Sequence, residues 1–242
     1  MITKTKNRAA FTLVELIVVL MILVGLAAIL IPAVTDMVGR TNASSSVANI
    51  SEVANSVQRY ETQFLSYPNN LDSLMTDLAG ADLDTLTAAL TAATVDVTLT
   101  APTRAPLTTA GITSVGIHTA GDNTFQPATA TALTDTTVLK GLTPAAQVAL
   151  GLETTGVADK YILLGLGTIS DMTGKTNIDA PVYFPETGTL NPDSVYGRFI
   201  AVFQITDGTD PLVRAKLTLI ITPTAEGLNS GLSKYFVISS NL

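Results

Sequence analysis

Residues Phe11 to Ile31 read FTLVELIVVLMILVGLAAILI, an apolar run with a single ionisable side chain, Glu15. About 20 such residues are what a helix needs to cross a ~30 Å hydrocarbon core. A carboxylate in that setting costs roughly 2.5 to 3.5 kcal/mol on insertion scales, so Glu15 calls for a partner. Basic residues before the run and few directly after it predict a cytoplasmic N-terminus and an exported C-terminal part.

Upstream stands MITKTKNRAA, ten residues with Lys4, Lys6 and Arg8, no acid, and the small pair Ala9-Ala10 at its end. This order of basic leader, small residue, Phe-Thr-Leu-Val-Glu-Leu and apolar helix resembles the N-terminus of the type IV pilin and pseudopilin family. The resemblance implies that a prepilin peptidase cuts between Ala10 and Phe11 and methylates the new amine of Phe11, with Ala10 standing where the family most often has Gly. It also implies that Glu15 meets the N-terminal amine of a neighbouring subunit as each protomer joins a filament. An α-amino group, with a reference pKa of about 7.7 to 8.0, is a suitable cation. Pro32, twenty-one residues after Phe11, matches the family's helix proline, and its missing donor predicts at least a kink. A secretory signal peptide would instead be cut after its apolar core, at a site such as Gly25-Leu26-Ala27-Ala28, which leaves Glu15 unexplained.

Past the run, Val47, Ile50, Val53, Val57, Tyr60 and Phe64 recur at steps of three or four, the spacing of an amphipathic helix. The helix is expected to stop at Ser66-Tyr67-Pro68-Asn69-Asn70, because the residue before proline avoids helical angles and Asn-Asn favours turns. Tyr67-Pro68-Asn69-Asn70-Leu71-Asp72-Ser73-Leu74 is similar to the Tyr-Pro-x-x-Leu-x-x-Leu passage that follows the long helix in pilins. Further on, Asp82 to Ala93 reads as a short helix, Val95 to Leu99 as a strand, and Thr143-Pro144 as an N-cap with proline at the first helical position. Thr100 to Thr137 shows no period. Strands are expected at Tyr161 to Leu164, Phe199 to Ile205, Leu212 to Thr222 and Tyr235 to Ser239, the middle two joined at Asp207-Gly208.

The expected organisation is therefore a leader at 1–10, a membrane-spanning and filament-core helix at 11–31, an amphipathic helix at 32–66, a variable connection at 67–160, and the head's sheet at 161–242. The expected fold class is α+β: one long helix packed on an antiparallel sheet of about four strands.

The chain has 13 Lys and Arg against 20 Asp and Glu; without the leader's three cations the balance is minus ten, a charge that repels nucleic acid phosphates. It has no cysteine, so neither a disulfide nor thiol chemistry is available. His118 is the only histidine and is expected in a surface loop, with no second His or Cys for zinc. No Gly-x-Ser-x-Gly elbow occurs. Asp171, Asp179, Asp193, Asp207 and Asp210 offer oxygens for calcium, but without EF-hand spacing they read as turn formers. No catalytic residue, metal or cofactor is expected. The function that the resemblance implies is that of a pilus subunit or a type II secretion pseudopilin, with Ala10 and Phe11 as processing residues and Glu15 and Pro32 as assembly residues. Its partners are further copies of the chain, the prepilin peptidase, the inner-membrane assembly platform and membrane lipid before assembly. A membrane-anchored exported binding protein that never polymerises is the reading from another class.

Overall fold

One helix and one sheet organise the chain. The structure, a computed structural model, describes residues 13–122, 126, 128–154, 156–183, 191 and 193–227, and omits the side chains of 29, 32–40, 42–44 and 46 within the first helix. That helix, α1 (Leu13–Phe64), has 52 residues, about 80 Å at 1.5 Å per residue, and its backbone stays helical through Pro32. Its two halves differ in what covers them. From Leu13 to Ile31 every described side chain faces solvent, whereas Ile50, Val53, Val57 and Tyr60 are buried in the main core. Each buried aliphatic of that stripe contributes roughly 1.5 to 3 kcal/mol, so tertiary packing holds the second half in place.

The remaining elements are β1 (Leu71–Asp72), α2 (Ala88–Ala93), β2 (Thr94–Thr98), α3 (Ala101–Thr109), β3 (Ser114–Ile117), β4 (Thr129–Ala132), β5 (Val138–Leu142), α4 (Pro144–Ala149), β6 (Tyr161–Gly165), β7 (Ile200–Thr206) and β8 (Pro211–Ile221). The eight strands form one sheet. Strand β6 is its centre: β7 pairs along one edge from Tyr161↔Gln204 to Gly165↔Ile200, and the other edge is shared by β5 at Ile162 and β1 at Gly165. Beyond β5 lies β2; beyond β1 lie β3, paired parallel, and β4; beyond β7 lies β8.

This overturns the expected fold of a half-membrane helix on an antiparallel sheet of about four strands. Strands β1 to β5 all come from the stretch expected to be a connection, where only β2 had been expected, at Val95 to Leu99; they bring the sheet to eight strands, and the β1–β3 pair makes it mixed. Nor is any helix among the described residues long and apolar enough to cross a membrane. Strands β6, β7 and β8 stand where three strands were expected, and Tyr235 to Ser239 lies outside the described residues. The Thr- and Ala-rich sequence hid α3, yet Thr100 caps it through a reciprocal box with Thr103, and Pro102 stands in its first turn. The same signal marks α4, where the Thr143 hydroxyl accepts from the N–H of Ala146.

The junction after α1 is tightly specified. Leu65 closes the helix with φ 56°, its N–H donating to the carbonyl of Glu61 at 2.8 Å. Left-handed backbone strains a side chain with a Cβ, and Leu65 is 84% exposed, so its packing repays little. Leu65→Gly is expected to raise stability by about 1 kcal/mol in urea denaturation; an unchanged midpoint would show that the left-handed turn carries no strain. Next, the Tyr67 ring packs edge-on against Phe203 at 5.1 Å, its phenol accepts from the N–H of Leu217, and the Arg214 guanidinium lies 5.3 Å over its face. Arg214 also reaches Glu61 at 3.0 Å and donates to the Leu65 carbonyl, tying the helix end to β8.

Two turns are held by carboxylates. Asp77 accepts from the N–H groups of Ala79, Gly80 and Ala81, and Asp207, at the tip between β7 and β8, from those of Thr209 and Asp210. Both carboxyls are held below the usual aspartate range, chiefly by the N–H of Ala81 for Asp77 and of Asp210 for Asp207. A value depressed by folding stabilises above the unfolded value and is lost as pH falls through the folded one. Stability should thus drop as pH falls below about 4, and Asp77→Asn with Asp207→Asn should flatten that acid limb in pH-dependent thermal melts; an unchanged slope would exclude both turns as its source.

Candidate functional site

The helix residues singled out by the sequence form the first candidate. Glu15 lies in the first turn of α1, where a carboxylate complements the helix dipole. Around it Leu13, Val14, Leu16 and Ile17 begin a row of large apolar side chains, continuing to Ile31, that are 43 to 73% exposed. A helix apolar on all sides is normally buried, and a surface of this extent marks an interaction site. Pro32 falls inside α1, among the positions whose side chains are not described, and Ala10 and Phe11 lie outside the described residues.

A second constellation was not legible in the sequence. Asp72 on β1 is flanked in the sheet by Gly116 of β3 and Gly165 of β6. Its carboxylate packs onto Gly167, where an added Cβ would fall on the carboxylate itself, and the Tyr196 hydroxyl occupies the corresponding space above Gly165. Tyr196 donates to Asp72 Oδ2 at 2.7 Å, and His118 Nε2 lies 3.3 Å from the same oxygen. The two rings meet edge to face at 5.8 Å. Burial, then the neighbouring Asp72 charge, drives the Tyr196 phenol well above the usual tyrosine range. His118, expected in a surface loop, is instead 3% exposed, because it follows β3 directly into the interior; its N–H donates to the Met75 carbonyl. The three side chains come from three separate segments, so spacing along the chain carried no signal for them.

Chemically this cluster is a closed strut. Asp72, His118 and Tyr196 are each at most 3% exposed, so no substrate reaches the imidazole. A cleft of about 250 Å³ lies elsewhere, between Asn49, Glu52, Val53 and Ser56 of α1 and the segment with Asn177, Pro181 and Val182; Glu52 is its one titratable group. Among the described residues no three His, Cys, Asp or Glu side chains gather as a metal would require. Of the acids weighed for calcium, Asp179 accepts from the N–H of Ala180, and Asp171 from the Asn70 amide.

Comparison with known proteins found no matching family model, no matching curated relative and no matching solved structure.

Proposed function

We propose that this chain is the structural subunit of a type IV pilus or a related filament, cut before Phe11 and polymerised through the N-terminal part of α1. The observation that carries the reading is the apolar surface from Leu13 to Ile31, solvent-facing on every described side of the helix. Left uncovered it would cost on the order of 25 cal/mol for each Å² of apolar area, and parallel copies of the same helix supply a matching cover. Glu15 then serves as the one charged group of the interface, placed to meet the amine of the next subunit's Phe11. Membrane lipid covers the same surface before assembly, with the prepilin peptidase and an inner-membrane platform acting on the chain, and the acidic head is carried to the outside. The buried Asp72 strut supports this role by tying the strand that follows the helix into the centre of the sheet.

N-terminal sequencing and intact-mass analysis of the mature protein test the reading. A chain beginning at N-methylated Phe11 is the expected result. Retention of residues 1–10, or a start beyond Ala28, would overturn it.

A further inference from the structure

Burying an ammonium group is costly unless opposite charge meets it, and one lysine of the head is buried between two acids. Lys140 stands on β5, directly across the ladder from Asp96 of β2. Its side chain is 4% exposed, and its ammonium contacts both Asp96 Oδ1, at 2.5 Å, and Asp82 Oδ1. The loop after β1 brings Asp82 there. Within it the Asp77 carboxylate gathers the N–H groups of Ala79, Gly80 and Ala81, and a bridge between Met75 and Asp82 closes its ends. The N–H of Val138 on β5 donates to the Leu78 carbonyl and holds the loop over the strand. One amine and two carboxyls, from three segments each fixed by backbone hydrogen bonds, thus meet at a single nitrogen.

We propose that Lys140 and Asp82 condense into an isopeptide bond, with Asp96 relaying the protons. Nζ attacks Cγ of Asp82, forming the Nζ–Cγ bond, and the bond from Cγ to one carboxylate oxygen breaks. The nitrogen gives up two protons, which Asp96 accepts and passes in turn to the departing oxygen, and that oxygen leaves as water. One ammonium and one carboxylate become a neutral amide and a water molecule; no oxidant or co-reactant enters, and Asp96 is regenerated. Two physical terms favour the step. Holding amine and acid in contact supplies effective concentrations that in well-oriented intramolecular reactions reach about 10⁵ to 10⁸ M, and the product removes a buried charge whose desolvation an ion pair only partly repays. The carboxyls of Asp82 and Asp96 are half-exposed, which gives the released water a way out. Asp82 is the acceptor because strand pairing fixes Asp96 opposite Lys140, whereas the loop carrying Asp82 has room to close on the nitrogen.

Lys160 is an internal comparison. It is buried as completely, yet among the described residues only the mostly exposed Glu153 lies within ion-pair reach of it, at 3.3 Å. Lacking a second acid to carry protons, it stays an ammonium. At Lys140 the bond would clip together residues 58 positions apart, in a chain that has no cysteine for a disulfide. This property belongs to the folded head and does not depend on the filament reading.

Intact-mass analysis and peptide mapping of the full chain, unfolded in denaturant, test it. The expected result is a protein one water lighter than its sequence requires, after allowing for the observed N-terminus, with a branched peptide joining the segments around Asp82 and Lys140. Lys140→Arg and Asp82→Ala should each restore the full mass, whereas Lys160→Arg should not. Asp96→Asn keeps both bonded residues and removes the relay, so it should slow the condensation by ~100-fold or more and leave freshly purified protein mostly at full mass; complete cross-linking in that variant would overturn the role of Asp96. A linear peptide around Lys140 in the wild-type chain overturns the proposal, whether the protein has its full mass or has lost water elsewhere.

Discussion

Gly167→Ala should destabilise the head by about 3 kcal/mol, the upper end of ordinary overpacking costs. The new Cβ would land on the Asp72 carboxylate, itself pressed against Gly116 and bonded to Tyr196, so it has nowhere to retreat. Displacing it would also break the Tyr196 hydrogen bond to a buried charge, a loss of a further 1 to 3 kcal/mol. Urea denaturation measures the effect, and a double-mutant cycle identifies the cause. Asp72→Ser alone should be destabilising, but combined with Gly167→Ala the total should fall well short of the sum, because the shorter side chain makes room. Strict additivity would mean that the glycine is required for some other reason. Tyr196 adds an alkaline signature. Its raised value in the fold means that stability is intact below the unfolded tyrosine value and declines as pH rises past about 10.

Glu15→Ala should abolish assembly and leave the head's melting temperature unchanged. Removing one partner of a desolvated charge pair costs about 2 to 5 kcal/mol, or roughly 30- to 5,000-fold in the association constant. The head is insensitive because Glu15 lies some 50 Å along the helix from Ile50, the first buried position among the described side chains, at 1.5 Å per residue. Filament yield by electron microscopy, read beside a thermal melt of the same sample, separates the two effects. Undiminished filaments in the variant would remove Glu15 from the interface and with it the charge-pair account of assembly.

How much of this was legible along the chain varies by element, for physical reasons. The stripe from Ile50 to Tyr60 announced itself, because a helix packing on a core must repeat its apolar residues every three or four positions. Strands β6 to β8 did so too, through runs of branched and aromatic residues around an Asp-Gly turn. By contrast β1 has two residues, β4 reads Thr-Ala-Thr-Ala, and β3 carries a glycine. Such segments have little propensity of their own and become strands only because a neighbouring edge offers hydrogen bonds. Counting strands by local pattern therefore found half the sheet.

By itself the sequence determined the apolar surface of the first helix with its one carboxylate, the stripe that anchors the helix, and the sharp stop at Tyr67-Pro68, since each depends on residues within a turn or two of one another. Only the tertiary structure decided that β1 lies between β3 and β6, and that His118 and Tyr196 converge on Asp72. Those outcomes turn on pairing between segments tens of residues apart, where the sheet's hydrogen bonds, and the space that three glycines leave beside one carboxylate, set which side chains meet.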